Sequence, residues 1–332
     1  MTENTEFRVE DTSHAKRQAS ERGVKAFVEA GYGLSVHWGL YSLLYRGGVW
    51  AYYRQRIPYD TYHALMDRFN PERFNAVEWA DLMLEADQKF LMITAKHHDG
   101  FCMWDTPTTQ FKVTNTPFGR DALAELADAL HGRGLGLHFY YSLIDWTHPA
   151  YRNDWDAYVA YYQGHLRELC TQFGHIDGFL FDGYWPRITF DADGMVYSQP
   201  RGAWDLAGTY DLIHELQPDA MIVNNTHVLP LAGEDYQVWE LDLPGQATVW
   251  FNTTEVGDKP TACWWNLNAG WAYEPSHHAV KSVPELLRTY QAVRQQGAVF
   301  MLNVGPRAFG DIHPQEADIM RRLGQEIREL GL

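Results

Sequence analysis

The sequence predicts an α/β fold, a (β/α)8 barrel of TIM type, on three observations. Short, near-continuous apolar runs alternate with longer amphipathic stretches along the 332 residues. Apolar runs of this kind are strands buried on both faces, as a parallel sheet requires. Several of the runs close on His, Asp, Tyr or Trp, and the carboxyl ends of barrel strands are where catalytic groups gather. A doubly wound open sheet is the second arrangement that suits the alternation.

Taken in order, the predicted strands are 32–38, 89–96, 135–142, 176–182, 220–225, 235–240, 261–266 and 298–304. Between them lie NAVEWADLMLEAD, DALAELADALHGRG, DWDAYVAYYQGHLRELCTQFG, AWDLAGTYDLIHELQP and VPELLRTYQAVRQQG. Their apolar residues recur three and four apart, which predicts helices with one buried face. HGRG (131–134) and QFG (172–174) bring a glycine just before the next strand, the usual end of an αβ connection. The stretch 235–281 is irregular, so the sixth and seventh strands rest on the least periodic part of the chain. Segment 39–75, with Trp50, Tyr52, Tyr53 and Arg54, reads as a long loop forming a lid or wall over the barrel mouth. No GxGxxG or Walker motif, internal repeat or Pro/Ser-rich linker interrupts the pattern, and a single domain over 1–332 is expected.

Composition narrows the function. The formal net charge is −16, from 43 Asp+Glu against 27 Lys+Arg. With no basic stripe to neutralise phosphates, neither nucleic acid nor an anionic membrane is an expected partner. No apolar stretch is long enough to span a bilayer, and MTENTEFRVEDTSHAKRQ lacks the apolar centre of a leader, so a cytoplasmic setting is expected. Cys102, Cys170 and Cys263 are odd in number and lack CxxC spacing, the pattern of reduced thiols rather than a zinc site. Thirteen Trp and nineteen Tyr exceed the needs of a core, and many stand beside polar residues (HWG, GVWAYY, IDW, GYW, GWAY). Aromatic faces next to hydrogen-bonding groups suit a sugar, an oligosaccharide or a small molecule carrying one. The oligomeric state, homo-oligomer included, is left open.

The site is read from the strand ends. Ile176 to Trp185, IDGFLFDGYW, delivers one carboxylate, Asp182, at the tip of an apolar run. YGLSVHWG ends on His37 and Trp38. KFLMITAKHHDGF ends on Lys96, His97, His98 and Asp99. LGLHFYYSLIDW ends on Tyr140, Ser142, Asp145 and Trp146. One histidine at a strand end is usually structural, whereas four strands ending alike make a site.

YGLSVHWGLYS, TAKHHDGFCMWDT, FYYSLIDWTHP, GFLFDG and FMLNVGP, in that order, resemble the retaining α-L-fucosidases, glycoside hydrolase family 29. The resemblance covers nearly the whole chain. It implies a (β/α)8-like barrel, usually followed by a β-sandwich. Here the chain stops one helix after the barrel, so no C-terminal sandwich is expected. The resemblance also implies Asp182 as nucleophile, with His37, His97, His98 and Tyr140 on the sugar hydroxyls and Trp50 and Trp271 packing around the ring. It implies no cofactor. HHDG lacks the i, i+4 spacing of a helical zinc site, and no metal is expected.

Three positions depart from the family pattern. The glutamate that commonly acts as general acid/base, nine residues before the Trp of the family's WGY, is Ala262 here. The glutamate before the sugar-binding Trp is Val49, and the arginine common after NN is Thr226. Two carboxylates are candidates for the missing acid. Glu240 ends a strand-like run in VWELDLPG and is preferred, and Glu255 in FNTTEVGD is the reserve. A carbohydrate-binding pseudo-enzyme, or an acid/base-deficient variant of the same fold, stands as the alternative.

Overall fold

Eight parallel strands carry the molecule: β1 Tyr32–Val36, β2 Phe90–Lys96, β3 Gly136–Ser142, β4 Gly178–Asp182, β5 Met221–Asn224, β6 Gln237–Glu240, β7 Thr261–Asn266 and β8 Val299–Val304. The structure is a computed structural model that describes residues 9–185 and 203–332. The first eight residues of the stretch read above for a leader lie outside the described residues. Strand order is β5-β4-β3-β2-β1-β8-β7-β6, so β1 pairs with β8 and the sheet runs around almost to closure. An open doubly wound sheet would reverse its order at an internal switch point; the barrel is the arrangement found.

The seam lies between β5 and β6, which share no ladder among the described residues. Asp235 bridges it instead. Its backbone N–H donates to the Ile222 carbonyl at 2.7 Å. Its carboxylate accepts from Ile222 N at 2.8 Å, from Ala19 N at 2.8 Å and from His214 Nε2 at 2.9 Å. A side chain thus replaces a strand partner and satisfies buried amides that would otherwise be orphaned.

Side chains alternate across the strands. Leu34, Leu91, Phe139, Phe179 and Phe300 face outward into the large apolar layer beneath the helices. Met92, Tyr140, Leu180, Val223, Val238, Ala262, Trp264 and Met301 fill the barrel interior. The outer helices span Ala76–Glu85, Ala122–His131, Trp155–Gln172, Leu206–Leu216, Val283–Gln295 and Pro314–Leu330. Asn75, Asp121 and Asp154 cap the first three with side-chain oxygens on orphan amides.

Two features differ from the sequence reading, and a third accounts for its irregular stretch. Helix Glu21–Ala30 was not anticipated: it brings Phe27 against Tyr236 (ring centroids 4.7 Å apart), His138 and Phe90, closing the floor of the barrel. Segment 39–75 is not a loop but a chain of short helical turns, Leu40–Leu43, Gly48–Trp50, Ala51–Arg54, Tyr59–His63 and Ala64–Arg68. Each is too short to show helical periodicity. Among the described residues, no helix separates β5 from β6 or β6 from β7, the reason that 235–281 looks irregular.

Candidate active site

Every second residue of a strand points inward, and the uppermost inward positions are polar on nearly every strand. Gly33–Ser35–His37, His138–Tyr140–Ser142, Gly178–Leu180–Asp182, Met221–Val223–Asn225, Val238–Glu240, Ala262–Trp264–Asn266 and Val299–Met301–Asn303 follow this rule. His138 apart, small and largely apolar residues fill the lower layers, and His, Ser, Asp, Asn and Glu form the top.

Asp182 stands at the centre, 8% exposed. Its Oδ1 accepts from Gly183 N at 2.9 Å, Trp185 Nε1 at 2.9 Å and Asn225 Nδ2 at 3.4 Å. Its Oδ2 accepts from the Tyr140 hydroxyl at 2.7 Å. Burial pushes this carboxyl up to about 6, and the bonds from Tyr140, Trp185, Gly183 and Asn225 oppose the rise. Gly183 follows with φ 100, and a Cβ there would meet Ile144 at 2.6 Å, so the chain turns away directly beneath the carboxylate.

The three predicted histidines meet around Asp182. His37 and His97 rings lie 5.7 Å apart, and His97 and His98 4.2 Å. Burial holds all three below the ordinary histidine range, His37 at about 4, so they are neutral near pH 7. The Ser142 hydroxyl donates to the Ile144 carbonyl at 2.7 Å, so it accepts from His98 Nδ1–H at 2.6 Å. The bare His98 Nε2 then lies buried behind the cavity lining, 3.5 Å from Asp182 Oδ2. Asn303 fixes His37 in the same manner. Its Nδ2 donates to the Trp271 carbonyl at 2.8 Å, leaving Oδ1 to accept from His37 Nδ1–H at 2.7 Å. His97 Nδ1 and His98 Nε2 are buried without a hydrogen-bond partner among the described residues. Such atoms are suited to ligand hydroxyls.

Glu240, at the end of β6, is brought to Asp182. Asn225 Nδ2 donates to Glu240 Oε1 at 2.5 Å while lying 3.4 Å from Asp182 Oδ1, so the two carboxylate oxygens are no more than about 6 Å apart. Burial, then the Asp182 charge, raises Glu240 to about 8. Glu255 is not brought in. It is exposed, and its carbonyl accepts from Gln237 Nε2 at 3.0 Å, at the start of β6 and away from the mouth. Ala262 is not a mouth position either. It is fully buried at the lower end of β7, beside Val238 and Val299, two layers below Asn266. Counting back nine residues from Trp271 therefore leads to the lower layer of β7 and not to the cavity.

A cavity of about 590 Å³ opens above these groups. Among its lining residues Trp50 and Trp185 stack at 5.8 Å, Trp271 lies 4.5 Å from Trp264, and Trp50 and Trp271 both pack on Tyr41, Val49 and Ala272. The backbone that follows Trp271 passes directly over Gly305, where a Cβ would meet Tyr273 N at 2.1 Å. Val49 lines the cavity and packs with Tyr41 and Ala272, whereas Thr226 is buried outside the lining. Lys96 and Asp145 turn away from the cavity and pair, buried, at 3.4 Å. Trp38 packs on Phe74 in the outer core. Among the described residues no cluster of three His, Cys, Asp or Glu is placed to hold a metal, and no helix is long and apolar enough to cross a membrane.

The sequence reading missed Asn225, Asn303, Asn266 and Glu274, which accepts from Gly47 N at 3.0 Å and steadies the turn before Trp50. For the asparagines a signal existed. Each is a poor strand former ending an apolar run, as Asp182 is.

Known proteins of similar sequence and shape were found. Residues 2–331 match the family model described as Alpha-L-fucosidase. Alpha-L-fucosidase 1 of Arabidopsis thaliana is 29% identical over 286 residues, 77% of this chain and 52% of the plant protein. The chain thus spans about half the length of the plant relatives it matches. Alpha-L-fucosidase isoenzyme 1 from Paenibacillus thiaminolyticus superposes with a TM-score of 0.79 at 31% identity, covering 94% of this chain and 76% of that one. A GH29 alpha-L-fucosidase from Bacteroides thetaiotaomicron, trapped as a covalent intermediate with 2-fluoro-fucosyl fluoride in a Glu-to-Gln mutant, gives 0.81 at 26%, covering 95% and 76%. AlfC from Lactobacillus casei shares the fold at 0.77 and 24% identity, covering 94% of this chain and 99% of that one.

Proposed function

Since the chain belongs to the alpha-L-fucosidase family, we propose that it is an exo-acting retaining glycoside hydrolase. It removes a terminal α-L-fucosyl residue, or a close relative such as α-L-galactosyl, from a small-molecule or oligosaccharide substrate. The observation that carries this reading is the pair Asp182–Glu240 spanned by one amide, Asn225. Oxygens no more than about 6 Å apart fit a retaining enzyme, whose carboxyls stand about 5–5.5 Å apart, and fall short of the roughly 6.5–9.5 Å of an inverting one.

The residues then divide the chemistry. Asp182, ionised near pH 7, attacks the anomeric carbon and forms a glycosyl ester. Glu240, protonated at that pH, gives its proton to the glycosidic oxygen as that bond breaks. It then takes a proton from the water that hydrolyses the ester. Neutral His37, His97 and His98 hold sugar hydroxyls, and Trp50 and Trp271 exclude water from the ring. Both steps need only these residues and water. The three buried, unpaired cysteines suit the cytoplasmic setting we also propose.

The test is hydrolysis by wild type and Glu240→Ala. Wild type should release nitrophenol from an aryl α-L-fucoside and fucose from oligosaccharides. Glu240→Ala should lose about a thousandfold or more on substrates with poor leaving groups while still reacting with activated aryl fucosides. Added azide should then yield the fucosyl azide of retained configuration. A wild type inert toward every α-L-fucoside and α-L-galactoside, or Glu240→Ala indistinguishable from it, refutes the assignment.

A further inference from the structure

Directly after Glu240 the chain leaves β6 through Leu241, a non-glycine residue at φ 56. Backbone of that kind is strained and persists only where the surroundings impose it. What imposes it is Asp242, 1% exposed. Its carboxylate accepts from the Thr248 hydroxyl, from Val249 N at 2.9 Å and from Asn252 Nδ2 at 2.9 Å. Asn252 Nδ2 also donates to the Glu240 carbonyl at 2.8 Å, and Trp239 Nε1 donates to the Thr253 carbonyl at 2.9 Å. These anchors grip the chain on both sides of Trp250 and Phe251. Yet the Trp250 side chain is held out at the rim of the cavity, 69% exposed. Phe251 packs edge-on to it at 5.6 Å and lies 4.4 Å from His227. A clamped backbone presenting a bare indole beside a cavity has the form of a binding platform.

We propose that Trp250 and Phe251 form the subsite for the leaving group, and that this group is a sugar ring. The inference rests on Glu240 being the proton donor. A proton donor must touch the glycosidic oxygen, the atom that joins the fucosyl ring to the rest of the substrate. The fucosyl ring occupies the side walled by the histidines, Trp50 and Trp271. The leaving group therefore lies on the Glu240 side, where segment 241–251 forms the wall. An indole face matches the C–H face of a pyranose, whose hydroxyls remain in water at this open rim. The same platform would hold a sugar acceptor when the glycosyl ester is attacked by a hydroxyl instead of water.

The experiment compares α-L-fucosyl fluoride, whose leaving group is one atom, with a fucosyl disaccharide ending in a hexose. Fluoride departs without a proton donor and reports Asp182 and the fucosyl pocket alone. Trp250→Ala should lower kcat/KM for the disaccharide relative to the fluoride by about tenfold, mainly through KM. Trp250→Tyr, which keeps an aromatic face, should recover the ratio to within about threefold. An unchanged ratio in Trp250→Ala, with wild type active on fluoride, overturns the subsite and leaves the proposed function standing. A wild type that does not cleave the fluoride removes the reading on which the subsite rests, and the subsite with it.

Discussion

Asn225 is the residue on which the electrostatics of the site turn. Its amide donates to both carboxylates, so it stabilises both ionised forms and lowers both proton affinities. The unmodified pair sets the pH dependence. With Asp182 as the proposed nucleophile and Glu240 as the proposed acid, activity should fall below about 6 as Asp182 gains a proton, and again above about 8 as Glu240 loses its own. The kcat/KM profile should therefore be a bell with its maximum near neutrality. Asn225→Ala should move both limbs to higher pH, since the removed bond favoured both charged forms. A bell that stays in place, or limbs that move down, speaks against the assignment. Asn303 acts at one remove, through His37 and the Trp271 carbonyl. Asn303→Ala should raise KM and lower kcat together without moving the pH limbs, because it touches neither carboxylate.

At the scale of elements, the seam between β5 and β6 and the layering of β7 make two predictions. Asp235 satisfies two backbone amides and His214 in place of a missing strand pairing. Asp235→Ala should cost about 2–4 kcal/mol of unfolding free energy, read as a lowered denaturation midpoint. A change under half a kcal/mol would mean that the seam is held by other contacts. Ala262→Glu places a carboxylate among Val238, Trp264 and Met301, where no partner waits. It should cost roughly 3 kcal/mol or more and should not raise activity. Higher activity in this variant would show that the proton donor acts from β7. Strands such as 89–96 and 298–304 were legible because apolar runs bounded by turns have few other solutions. Helix Glu21–Ala30 was not, since its buried face amounts to little more than Phe27, and the turns of 39–75 are shorter than the period that reveals a helix.

At the scale of the molecule, the barrel makes neighbours of residues far apart in sequence, which separates what the chain shows from what only the fold shows. Asp182, His37, His97 and His98 were legible because each is an oddity at the end of an apolar run. Glu240 was legible as a strand end, but Glu255 and Ala262 were judged by spacing along connections whose path the sequence does not determine. Asn225 and Asn303 went unread because an asparagine seemed less exceptional than a charge. All of these residues converge on one claim, that Asp182 forms a covalent bond to the substrate. Peptide mass mapping after treatment with 2-fluoro-fucosyl fluoride tests it directly, because the 2-fluorine slows both steps while the fluoride leaving group speeds only the first, so the ester accumulates. The account predicts one fluorofucosyl adduct per chain on the peptide carrying Asp182, with matching loss of activity and no adduct in Asp182→Ala. An adduct on any other residue, or continued turnover by Asp182→Ala at near wild-type rate, would contradict it.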